Sequence, residues 1–134
     1  MTRGDAFDRP VFTRVRGLCL AFPEATEKTA WGHPCFRAGK KMFCAFEMIG
    51  GRPSIAFRLP RGEVDRLLRR HARVVASPYG RGIWISVWVD GRISWKLIES
   101  ALDRSYRTVA TKHLIGRLDE RAGRAGRAGR AGRR

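Results

Sequence analysis

The chain has 134 residues, a hydrophobic fraction of 43% and thirteen aromatics, enough for one packed domain and too apolar for a disordered chain. Its charge is lopsided, 28 Lys and Arg against 12 Asp and Glu, a formal +16. The last fourteen residues carry six arginines and no acid, which leaves +10 on residues 1–120. A domain that basic attracts polyanions, nucleic acid first and an anionic membrane second. Cys19, Cys35 and Cys44 form no C-x-x-C pair and match no zinc spacing with a histidine, so free thiols in a reducing cytoplasm are expected. The first ten residues lack the apolar segment of a secretion signal, and no run approaches the ~20 apolar residues of a membrane span.

In chain order, Asp8 reads as an N-cap and Pro10 as a first-turn residue of an amphipathic helix over 9–21, with Phe12, Val15, Leu18, Cys19 and Phe22 at helical spacing. The period then shortens. In KMFCAFEM, Met42, Cys44, Phe46 and Met48 alternate with Lys41 and Glu47, which predicts a strand. Residues 35–38 precede it across a turn at Gly39, which puts Lys40 and Lys41 near a hairpin tip. A second turn at 49–53 leads to the alternation of Ile55, Phe57 and Leu59. Three strands with short connections predict an antiparallel meander.

Glu63–His71 reads as a helix, with Val64, Leu67 and Leu68 inward and its arginines outward. SPYGRG, residues 77–82, is a loop. Ile83, Ile85, Val87 and Val89 then line one face of a strand, and Trp84, Ser86 and Trp88 the other, which a helix is expected to cover. Ser94 caps a last long helix through Trp95, Ile98, Leu102, Tyr106 and Val109. The expected architecture is a single α+β domain over 9–118, an antiparallel meander with helices on one face. A tail at 119–134, repeating Arg-Ala-Gly, is expected to be disordered.

With these elements in place, FPEATEKTAWGHPCFRAGKKMFCAF at 22–46 resembles the signature of the MmcQ/YjbR family. Pro23, Glu24, Glu27, Trp31, Gly32, Pro34, Phe36, Gly39, Lys40 or Lys41, and Phe43 stand at the family's positions. SPYGRGIWISVWVD is similar to its tyrosine loop and tryptophan strand, and ALDRSYRTVATKHL to its closing Ser-Tyr helix. The resemblance covers roughly residues 10–115. It implies a CyaY-like, frataxin-like α+β fold and a DNA-binding role. Gly80–Arg81 stands where the family often has Asn-Lys, which keeps the charge and alters the donor geometry.

Two chemistries compete for residues 26–43. Cys35 and His33, two apart on a strand, share a face, yet no orienting group or oxyanion site accompanies them, and a packed thiol is the plainer reading. Glu24 and Glu27 lack further ligands for a metal and read as loop charges. His71 and His113 suit helix C-terminal ends. No enzyme activity, cofactor or metal is expected. The candidate nucleic-acid contacts are Arg37, Lys40 and Lys41 around the first hairpin tip, Arg52 in the next turn, Tyr79 as an exposed aromatic, and Arg81 and Arg92 flanking the tryptophan strand. Arg66, Arg69, Arg70 and Arg73 read as a solvated helix face. The expected protein is a cytoplasmic monomer that engages DNA phosphates with weak sequence preference, RNA being a further possible partner and a membrane none. The alternatives are a small-molecule-binding or enzymatic α+β domain, or a protein- or RNA-interaction module, with no DNA role.

Overall fold

The computed structural model describes residues 7–80 and 82–131, with side chains as far as Arg124. Ten elements follow in order: α1 (Pro10–Leu20), β1 (Ala25–Ala30), β2 (His33–Ala38), β3 (Lys41–Ile49), β4 (Arg52–Arg58), α2 (Arg61–Arg70), β5 (Val74–Ala76), β6 (Trp84–Trp88), α3 (Trp95–Val109) and α4 (Lys112–Ala131). The strands form one antiparallel sheet in the order β1-β2-β3-β4-β6-β5. The α+β architecture matches the sequence expectation, and it is wider than the meander by two edge strands. β1, ATEKTA, is almost wholly exposed and carries no apolar alternation that could have announced it. β5 is only three residues long.

All the helices bury their apolar faces on one side of the sheet. Phe12, Val15 and Cys19 from α1, and Ile98, Leu102 and Tyr106 from α3, pack on Phe36, Phe46, Ile55, Phe57 and Ile85. α1 starts on Pro10 with Arg9 as N-cap and no side-chain cap bond, so Asp8 is not the cap. Ser94 does cap α3, its hydroxyl accepting from the Leu97 N–H at 3.3 Å. Leu114 and Leu118 bind α4 to the same core. The helix continues through the residues read as the start of a tail at 119, because Arg and Ala both favour helix and outweigh a glycine every third residue. His113 consequently sits in the first turn of α4, not beyond a helix end.

β3 departs from simple alternation. Phe36 pairs with Cys44 and Arg37 with Met42, so Phe43 is an extra residue in the ladder. This bulge sends Phe43 and Cys44 both into the helix-side core and turns Met42 to the opposite face. Where Phe43 leaves the ladder, Ser105 of α3 mends it. Its hydroxyl accepts from the Arg58 N–H at 2.9 Å and donates to the Phe43 carbonyl. Its neighbour Tyr106 stacks on Phe22 and donates its hydroxyl to the Pro23 carbonyl at 2.6 Å. The Ser-Tyr pair therefore ties α3 to three backbone groups, the Arg58 N–H and the Phe43 and Pro23 carbonyls, that would otherwise lack these partners.

Candidate nucleic-acid interface

Among the described residues, the sheet's second face carries no helix. Its floor is built of small side chains, Cys35, Ala45, Ala56 and Ser86, set side by side on β2, β3, β4 and β6. All four are fully buried. The cover is Tyr79, whose ring lies 5.5 Å from that of Trp84 and packs with it over Cys35, Ala45 and Ala56. Burial, followed by the charges of Cys35 and Glu47, pushes the Tyr79 phenol up to about 12. Tyr79 is thus half-buried and not the exposed aromatic that a Gly/Pro loop suggested, and Trp84 is buried under a loop side chain and not under a helix.

Cys35, weighed from sequence as a nucleophile, packs into the second face of the sheet. The Cys35 Sγ donates to the His33 carbonyl at 3.5 Å, while the His33 ring stands edge-on to Phe7. Burial raises the Cys35 pKa, which disfavours the thiolate. Beside it Glu47, 4% exposed, accepts from Ser86 at 2.7 Å and Ser54 at 3.1 Å. Burial raises its carboxyl too, and the two serine hydroxyls pull it partly back. Glu24 and Glu27 pair with Arg117 and Arg16, and no cluster of metal-ligating residues occurs among the described residues.

The basic candidates fall into two groups at opposite ends of the sheet. Lys41 and Ile49 terminate the nine-residue β3, roughly 25 Å apart at strand rise. At the Ile49 end stand Arg52 and Arg92. Arg52 is spent locally: it holds Asp90 through two hydrogen bonds of 2.8 and 3.1 Å and lies 3.9 Å over the Trp88 ring. Arg73 grips the same carboxylate at 2.9 Å, so it too leaves the solvated helix face assigned to it. Those arginine bonds hold the Asp90 carboxyl below its usual range. Arg92 is exposed beside the α3 N-terminus. Arg52 and Arg92 therefore stand about the length of β3 from the first hairpin tip.

The Lys41 end is different. Lys40 projects from the two-residue turn, and Lys41 opens β3. Arg37 pairs across β2–β3 with Met42, its Nε buried and unpartnered, and Arg58 pairs with Trp84 across β4–β6. Arg37 and Arg58 lie two strand spacings apart, about 10 Å. Lys41, Met42, Arg58 and Trp84 share a cavity of about 340 Å³ with Thr108 and Val109. None of these four cations has an ion pair among the described residues, whereas Glu63, Asp103 and Asp119 nearby on the helix side are bound to Arg104 and Arg107. Arg58 was missed in the sequence because it reads only as the polar phase of a strand. Arg81 lies outside the described residues. Trp31 was noted only as a signature position, yet it is 89% exposed in the β1–β2 turn at φ +51, far from this cluster and on the Arg52 side.

A helix-backed sheet with a loop-covered second face and a cationic corner defines a small α+β domain. The YjbR family model matches residues 20–108. The chain belongs to the YjbR family. Among solved structures it is similar to a Pseudomonas syringae protein, with a TM-score of 0.62 and 17% identity over 72% of this chain and 97% of that one. It is also similar to a Deinococcus radiodurans protein described by a DUF419 domain, with a TM-score of 0.65 and 18% identity over 80% and 86% of the two chains. At such identities the likeness shows the fold alone. No curated protein matches. No helix among the described residues is long and apolar enough to cross a membrane.

Proposed function

We propose that the protein binds DNA through its phosphates, with weak sequence preference, at the corner formed by Arg37, Lys40, Lys41 and Arg58. One observation carries this reading: three cations from three adjacent strands and a fourth, Lys40, from the turn between two of them stand at one sheet end with no ion pair among the described residues. Desolvating such a group against a polyanion releases condensed counterions, which is the main source of non-specific affinity. Lysines on a hairpin tip and arginines on strand faces suit phosphate contact, and nothing in their placement aims a bidentate fork at a base edge. Buried Cys35 and Glu47 serve the packing of the second face, so the reading requires no enzymatic step, cofactor or metal. It places the protein with cytoplasmic DNA as a monomer.

Fluorescence anisotropy with labelled duplexes of two unrelated sequences tests the proposal, with single-stranded DNA and a structured RNA as competitors at equal ionic strength. Both duplexes should bind within a fewfold of each other and resist the RNA. Preference for RNA would move the partner to that class, and no binding to any of the four would end the proposal.

A further inference from the structure

On the helix-covered side, α2 and α3 run beside one another and leave a cavity of about 230 Å³ between them. Leu67 and Leu97 form part of its apolar wall, and Arg66, Arg70 and Arg104 reach it from the two helices. Arg66 and Arg70 are one helical turn apart, a spacing at which like charges repel, and neither has an ion pair among the described residues. Glu63 stands one turn earlier on the same stripe. One carboxylate oxygen pairs with Arg104; the other, Oε2, is buried with no hydrogen-bond partner. A buried acceptor left unsatisfied is destabilising. An apolar wall, two solvent-exposed guanidiniums without ion pairs among the described residues, and one orphaned acceptor border a single space.

We infer that this cavity binds a small apolar carboxylic acid that bears a hydroxyl or ammonium donor next to its carboxylate. The carboxylate bridges Arg66 and Arg70, the donor satisfies Glu63 Oε2, and the hydrocarbon lies on Leu67 and Leu97. Inorganic phosphate fits poorly, because it leaves the leucines uncovered and sets its charge against Glu63. The volume falls below that of drug-sized pockets, about 300 Å³ and up, which limits the ligand to a compact molecule. This site is independent of the cationic corner, since its arginines belong to the helices and those of the corner to the sheet.

Titration calorimetry on the full chain tests the inference with three probes: leucine, 2-hydroxy-4-methylpentanoate and 4-methylpentanoate. At least one of the first two should bind, about tenfold or more tighter than the third, which lacks the donor; which of them binds distinguishes amino from hydroxy acid. Arg66→Ala with Arg70→Ala should abolish the heat, Glu63→Gln should shrink the preference for the donor, and Lys40→Ala with Lys41→Ala should change nothing. Circular dichroism checks that each variant is folded. No heat from any probe at millimolar concentration, equal binding with and without the donor, or binding indifferent to loss of both arginines would each overturn it.

Discussion

Ser105 shows how one hydroxyl closes a fault made elsewhere in the chain. The bulge at Phe43 in the β2–β3 ladder gains an extra aromatic for the core, the β3–β4 pairing ends at Cys44–Phe57, and the α3 serine bridges the next two groups, the Phe43 carbonyl and the Arg58 N–H. Ser105→Ala leaves a buried N–H and a buried C=O without partners, and should cost about 2–3 kcal/mol in urea unfolding with an unchanged m-value. A loss under about 0.5 kcal/mol would mean water or a backbone shift repairs the ladder. Glu47 makes the opposite contribution. Its carboxyl is raised in the folded state, chiefly by burial, so the unfolded chain gives up that proton first as pH rises. The Glu47 contribution to stability therefore declines as pH climbs from its ordinary value of 4.5 through the raised one. Thermal melts of wild type and Glu47→Gln between pH 4 and 8 should show the variant gaining on wild type as pH increases; a constant difference contradicts this.

At the level of elements, the residues that alternate or recur strongly were legible. The α1 and α3 stripes, the β3–β4 turn at Gly50–Gly51 and the Ser94 cap all follow from spacing and turn chemistry. β1 was not, because an edge strand with polar residues on both faces has no periodicity to read. The bulge was not, since Met42 and Phe43 are both apolar and only the pairing reveals which one changes sides. The loop at 77–82 was recognised as a loop, but its destination depends on small residues scattered over four strands. Ala45 and Ala56 make room for Tyr79 where a larger side chain would displace it. Ala56→Leu should destabilise the protein by about 1–3 kcal/mol through overpacking. It should also lower the Tyr79 titration from about 12, read by ultraviolet absorbance, and an unmoved titration would show that the ring does not rest on this floor.

Across the whole molecule, net charge identified a class of partner and hid its geography. Arg37, Lys40, Lys41, Arg52 and Arg92 were legible as turn or polar-phase positions; their separation into two groups by the length of β3 was not, because it depends on strand order and register. Ion pairing then sorts them further. Arg52 has the same charge as Lys40 and is neutralised by Asp90, a partner 38 residues away. Arg58, unremarkable in sequence, joins the cluster only through its pairing with Trp84. The account therefore rests on position and counter-ions, not on the total of +16.

The salt dependence of duplex binding examines that claim most directly. Each phosphate contact contributes about −0.9 to the slope of log K against log salt, so Lys40→Ala with Lys41→Ala should flatten the slope by about 2, equally for unrelated sequences. Arg52→Ala, at the other end of the sheet, should leave the slope where it was. Equal flattening by both variants, or by neither, would contradict a cationic corner at the Lys41 end.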